Sequence, residues 1–112
     1  AARVVARKPD PAPQGPGLDG TYVGPSYLAF SLGRTPKMDH AEQEFLAIYK
    51  RLIAACTKRG VFPGIHCGSA GYAARMINMG FRLTTIANDS GLMAKAARDA
   101  VAGVWQEAGE FR

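Results

Sequence analysis

The chain holds two histidines and two cysteines, and among these four only His66 and Cys67 are neighbours. In an extended segment successive side chains point to opposite faces, so this pair cannot grip one metal ion while the strand is regular. His66 alone then has two uses: a hydrogen-bonded structural imidazole beside an apolar strand, or a group that faces a ligand. His40 stands at the start of a helical pattern, where it is expected to be solvated. Cys56 and Cys67 form no CxxC pair and cannot supply the dense disulfide framework of a small secreted domain, so both are expected as reduced thiols.

Two glycine-bearing turns offer backbone chemistry. Gly24-Pro25-Ser26-Tyr27 exposes the N–H groups of Ser26 and Tyr27, which can hold a carboxylate without a charged side chain. The same residues also suit an ordinary strand-ending turn. Gly68-Ser69-Ala70-Gly71 sits at a helix entrance, where free N–H groups favour anions. It lacks the Lys-Ser/Thr ending of a P-loop, and Gly64, Gly68 and Gly71 do not reproduce the GxGxxG spacing. Asp89 and Ser90 are capping candidates first and a polar wall only second. A hard divalent cation needs converging acidic oxygens. None can be gathered here, because Asp19 precedes a strand, Asp89 stands alone, and Glu42 and Glu44 fall on a surface helix.

The elements that would position these residues follow from periodicity and punctuation. Ala1 to Gly17 carries Pro9, Pro11, Pro13 and Pro16 and reads as a tail or linker, leaving 18–112 as the domain. Thr21, Tyr22 and Val23 form a short β-prone run ended by Gly24-Pro25, and a Gly- and Pro-punctuated loop is expected from there to Asp39. Asp39 and Glu42 have capping-box spacing, which places a helix start at Asp39. Phe45, Ile48, Tyr49, Leu52, Ile53 and Cys56 recur at helical spacing, and Gly60 suits a left-handed C-terminal position. Val61 to Cys67 reads as a buried strand with Pro63 near its start. Tyr72, Ala73, Met76 and Ile77 share one face of a second helix, with Ser69 as cap and Gly80 as stop. Phe81 to Ala87 reads as a third strand. From Leu92 the pairs Leu92/Met93, Ala96/Ala97, Ala100/Val101 and Val104/Trp105 repeat every four residues as a third helix.

Strand and helix therefore alternate, which predicts an α/β domain with parallel strands joined by crossovers. Periodicity does not choose between a doubly wound sheet and a (β/α)8 barrel, but in both architectures ligands gather at the carboxyl ends of the strands. Here those ends are Gly24 to Tyr27, His66 to Ser69 and Ala87 to Ser90.

Composition excludes several classes of function. At 112 residues, with 47% apolar and 21% charged residues, the chain is expected to form one folded core. No apolar run reaches the roughly 18 residues of a membrane span, and no signal pattern opens the sequence, so a cytoplasmic protein with no membrane partner is expected. The net charge of +5 is scattered. Lys50, Arg51, Lys58 and Arg59 lie in the second half of a helix whose negative dipole end they complement, so no nucleic-acid partner is expected.

Leu18-Asp19-Gly20-Thr21-Tyr22-Val23-Gly24-Pro25-Ser26-Tyr27-Leu28-Ala29-Phe30-Ser31-Leu32-Gly33 resembles a signature of the HpcH/HpaI aldolases, which act on 4-hydroxy-2-oxo acids. Pro63-Gly64-Ile65-His66-Cys67-Gly68, Tyr72-Ala73-Ala74-Arg75, Gly80-Phe81-Arg82 and Asn88-Asp89 with Leu92 continue the likeness in the same order, from Pro16 to about Ala102. The resemblance implies the last three strand-helix units of an eight-unit TIM barrel, parallel in strand direction. It also implies a class II lyase in which magnesium, manganese or cobalt stabilises a pyruvate enolate as a carbon–carbon bond is cleaved.

In that family the metal is held by a glutamate on an earlier strand and by an aspartate in the Gly-Pro-x-Asp turn. The first lies outside these residues, and Tyr27, a neutral phenol, occupies the second position. The catalytic arginine and histidine also belong to earlier strands. What the resemblance leaves in this chain is a substrate-binding remnant: the turn Gly24, Pro25, Ser26 and Tyr27, and His66 facing the substrate. The expectation is therefore a partial barrel, inactive by itself, binding no metal alone and self-associating to cover its open sheet, with a keto acid or other small carboxylate as ligand. The alternative is a non-catalytic oligomerising or small-anion-binding module of the same descent.

Overall fold

The computed structural model describes residues 17–109. The expected proline-rich tail therefore lies outside the described residues except for Gly17. Strand β1 (Gly20–Val23) leads into helix α1 (Pro25–Ser31), followed by α2 (Gln43–Arg59), β2 (Phe62–Cys67), α3 (Ala70–Met79), β3 (Leu83–Ile86) and α4 (Asp89–Ala108). The strands form one parallel sheet in the order β1-β2-β3. Val23 pairs with Ile65, and Cys67 with Ile86. No helix among the described residues is long and apolar enough to cross a membrane.

The two sheet faces differ. Ile65 and Cys67 point into a core built with Phe45, Tyr49, Leu52 and Cys56 of α2 and Tyr72, Ala73 and Met76 of α3. Tyr49 meets Phe81 edge-on, with ring centroids 5.7 Å apart. On the opposite, inner face Tyr22, Phe62 and Leu83 remain exposed. Gly64 lies between them because a Cβ there would stand 2.7 Å from the Thr21 carbonyl oxygen. The close pairing of β1 with β2 therefore requires glycine at this position.

Helix α2 ends as its sequence predicts, with Gly60 left-handed at φ 68° and its N–H returned to the last turn. Ser69 caps α3, its Oγ accepting from the Tyr72 N–H at 3.3 Å. Cys56 and Cys67 are both free and buried.

Several expectations need correction. The stretch after Gly24 is not all loop: Pro25 opens α1, because its fixed φ and missing N–H suit a first helical position, and Leu28 and Ala29 bury its inner side. The helix expected from Asp39 begins at Gln43, and its N-cap, Glu42, makes no side-chain cap bond. Asp39 is engaged elsewhere. His40 is not solvated but 1% exposed, stacked on Phe45 at 3.8 Å. Ile77 is exposed although its neighbours on the helical face are buried. Phe81 precedes β3 and packs in the core instead of pairing. Asn88, not Asp89 or Ser90, caps α4, accepting from the Gly91 N–H at 2.7 Å. Helix α4 forms as its four-residue repeat requires, but none of its residues is buried.

Candidate functional site

The register of the sheet brings the expected site residues to one edge. Val23 pairs with Ile65, so Gly24 follows β1 level with His66 on β2. Ser26 and Tyr27 then occupy the first turn of α1, where backbone N–H groups have no intrahelical carbonyl to meet. The Leu28 N–H is the first to be used, donating to the Gly24 carbonyl at 2.9 Å. Tyr27 is 79% exposed, while Ser26 Oγ donates to the Lys37 carbonyl at 3.3 Å.

His66 and Cys67 lie on opposite faces, as an extended segment demands: Cys67 is fully buried and His66 half-buried on the inner face. Burial, and then the nearby Asp39 carboxylate, push the Cys67 thiol above its ordinary range, which keeps it an inert core group. His66 Nδ1 lies 2.7 Å from Thr85 Oγ1 on β3. The same Thr85 hydroxyl is hydrogen-bonded to the phenol of Tyr22 on β1. A polar chain thus runs across all three strands, Tyr22 to Thr85 to His66, with the two rings 6.5 Å apart. Sequence reasoning found His66 but missed both partners, because pairing His66 with Thr85 depends on a strand register that the alternation of one strand does not encode.

The turn after β2 is held by an interaction across the chain. Asp39 accepts from the Gly68 N–H and from Ser69 Oγ, both at 2.7 Å. The Tyr72 hydroxyl donates to the His40 carbonyl in the same region. A carboxylate of the protein therefore already occupies the entrance of α3, which removes the main support for phosphate binding at Gly68 to Gly71. Burial pushes the Tyr72 phenol up to about 12.

A cavity of about 420 Å³ lies elsewhere, lined by Arg34, Lys37, His40, Glu42, Glu44 and Phe45. Its charges are matched internally. Arg34 pairs with Glu44 at 2.9 Å and Lys37 with Glu42 at 2.5 Å. The Lys37 ammonium is the main reason that the Glu42 carboxyl is held down at about 2. None of Gly24, Pro25, Ser26, Tyr27 or His66 lines this cavity.

Among the described residues no group of three His, Cys, Asp or Glu side chains is placed to hold a metal ion. The polar groups of the Gly24 to Tyr27 turn and His66 are amides, a hydroxyl, a phenol and an imidazole already bonded through Nδ1, which is a poor donor set for a hard divalent cation. The arrangement can instead donate hydrogen bonds to an anionic oxygen.

No protein-family model matches the chain. Hydroxypyruvate/pyruvate aldolase of Rhizorhabdus wittichii is 35% identical over 86 residues, covering 77% of this chain and 34% of that protein. The 4-hydroxy-2-oxo-heptane-1,7-dioate aldolase of Escherichia coli is 28% identical over 81 residues, covering 72% of this chain and 30% of its own length. A solved structure of an HpcH/HpaI aldolase/citrate lyase family protein from Burkholderia cenocepacia superposes with a TM-score of 0.72 at 30% identity, over 92% of this chain and 36% of that one. An HpcH/HpaI aldolase from Desulfitobacterium hafniense shares the fold at a TM-score of 0.70 and 19% identity, over 80% of this chain and 34% of that one. By sequence and by fold the chain is a relative of the HpcH/HpaI aldolases, spanning about a third of the length of the curated relatives it matches.

Proposed function

We propose that these residues form the C-terminal part of an aldolase site that cleaves 4-hydroxy-2-oxo acids to pyruvate and an aldehyde. Their contribution is to bind and orient the keto acid. The observation carrying this reading is that the segment similar to aldolases folds so that the Gly24 to Tyr27 turn and His66 open at the same edge of the sheet. There the amides of Ser26 and Tyr27 receive the carboxylate, and His66 faces the rest of the ligand.

The divalent ion that relatives' chemistry would call for is not matched by the donors described here. Its acidic ligands would come from residues beyond 17–109 or from another subunit. The buried free thiols of Cys56 and Cys67 support a reducing, cytoplasmic setting. The exposed inner face and the unburied α4 support self-association, and with it the second reading, a module that associates without catalysis.

Titration of the chain with pyruvate or oxalate, followed by amide NMR, tests the binding role. The Ser26 and Tyr27 resonances are expected to move on saturation; unmoved amides at millimolar ligand would overturn it. Oxaloacetate decarboxylation by the purified chain with magnesium or manganese is expected to be absent. Metal-dependent turnover by the chain alone would refute the assignment of the metal ligands elsewhere. Solution mass distinguishes an oligomer from a monomer.

A further inference from the structure

The hydrogen-bond chain on the inner face can run in three ways. Thr85 Oγ1 contacts both His66 Nδ1 and the Tyr22 hydroxyl, with a single proton to give and two lone pairs to accept. In one direction the phenol donates to Thr85, Thr85 donates to Nδ1, and the imidazole proton is left on Nε2. In the second, Nδ1–H donates to Thr85, Thr85 donates to the phenol oxygen, and Nε2 is a bare acceptor. In the third, the phenol and Nδ1–H both donate to Thr85, and Nε2 is again a bare acceptor while the Thr85 proton stays outside the chain. A phenol is a better donor and a poorer acceptor than an aliphatic hydroxyl, because its oxygen lone pair is delocalised into the ring. Only the first arrangement has the phenol as donor and also spends the Thr85 proton within the chain, so that each bond polarises the next in the same sense.

We propose that Tyr22 and Thr85 are positioning residues that fix neutral His66 as the Nε2–H tautomer, presented from the inner face as a hydrogen-bond donor to an oxygen of a bound keto acid or small dicarboxylate. The tautomer rests on the hydrogen-bond chain and the donor strengths of its hydroxyls. The ligand half rests on the carboxylate-binding reading above. Nε2 makes no hydrogen bond within the chain Tyr22–Thr85–His66, and His66 follows Ile65 level with Gly24, which leads into Ser26 and Tyr27. The site thereby favours ligands with an acceptor oxygen beyond the carboxylate held by the turn, such as pyruvate or oxalate, over a simple monocarboxylate such as propionate.

Long-range proton–nitrogen correlation spectra of the full chain give the test, since only two histidines contribute and His66→Gln identifies the signal. Above the pH at which the ring becomes neutral, His66 is expected as a single tautomer with Nδ1 unprotonated. Thr85→Val and Tyr22→Phe are expected to relax it to a mixture. An Nδ1-protonated ring in the natural sequence, or a mixture that neither variant alters, overturns the assignment whatever ligands do. Oxalate is expected to shift the Nε2 resonance, and His66→Phe to weaken oxalate about tenfold while leaving propionate unchanged, the loss of one good hydrogen bond. If the Ser26 and Tyr27 amides respond to oxalate but Nε2 does not, the donor role is overturned while the carboxylate turn stands. If neither responds although the tautomer is fixed, the carboxylate-binding reading has failed, and the ligand role falls with it.

Discussion

Asp39 offers a sharp test of how the strand-end turn is held. Its carboxylate accepts two bonds, from the Gly68 N–H and Ser69 Oγ, across roughly thirty residues of chain. A hydrogen bond to a charged group contributes about 1.5–3 kcal/mol, but water competes at this exposed position, so about 1 kcal/mol for each is the reasonable scale. Asp39→Ala loses both and is expected to cost about 2 kcal/mol. Asp39→Asn keeps one acceptor oxygen for the Gly68 N–H and turns an NH₂ toward Ser69, for about 1 kcal/mol. For a domain near one hundred residues these correspond to lowering Tm by about 10 °C and about 5 °C. Urea unfolding and a thermal scan measure the cost, and hydrogen exchange at the Gly68 amide locates it. A double-mutant cycle with Ser69→Ala is expected to show coupling near 1 kcal/mol. If Asp39→Ala unfolds within about 1 °C of the parent and the Gly68 amide exchanges no faster, the clasp does not hold the turn and the reasoning is wrong.

Four further outcomes follow from the same structure. Gly64→Ala is expected to destabilise by about 1–3 kcal/mol in urea, since the new methyl meets the Thr21 carbonyl oxygen at 2.7 Å and the β1–β2 pairing must open. Ile65→Ala, on the core face, is expected to cost about 2–5 kcal/mol, against less than about 1 for Leu83→Ala on the exposed face; equal costs would show that the inner face is covered. The fold favours the neutral forms of Tyr72, raised from 10.0 to about 12, and of Cys67, raised from 9.0. Their contribution is complete below those unfolded values and lost as pH rises, so urea midpoints are expected to fall between about pH 9 and 12. Tyr27→Asp in this chain is expected to leave calorimetric magnesium binding undetectable, because one exposed carboxylate lacks a second acidic partner among the described residues.

The sequence was most legible where a single element determines its own pattern. Phe45, Ile48, Tyr49, Leu52 and Cys56 are all buried on α2, Gly60 is left-handed, and Ser69 caps α3, because spacing, backbone conformation and a local side-chain bond suffice for each. It was least legible where one residue type serves two purposes. Pro25 reads as a break but starts α1. Asp39 and Glu42 have capping-box spacing, yet Asp39 gains more from two donors near Gly68 than from the start of its own helix. His40 looks like a solvated helix-start residue until Phe45, five positions on, turns under its ring. The repeat in α4 predicted the helix but carried no information on what covers its apolar residues, and here Leu92, Met93, Val104 and Trp105 are exposed.

The contrast between the sheet faces also explains how a polar cluster can sit among apolar side chains. On the helix side, Ile65 and Cys67 are sealed by packing. On the inner side, Tyr22, Phe62 and Leu83 present an apolar surface crossed by hydroxyl and imidazole groups. Covering such groups costs several kcal/mol when they lose water without gaining a partner. Tyr22, Thr85 and His66 avoid most of this cost by bonding one another, so the face can be covered by further protein without orphaning their hydroxyls. The imidazole has one group left over, Nε2, and a neutral ring cannot satisfy both nitrogens through Thr85. Once the face is closed, the free energy of that last group depends on a complementary atom being brought to it. The same desolvation that penalises an unpartnered donor therefore favours an acceptor oxygen opposite Nε2, such as a ligand's, over hydrocarbon.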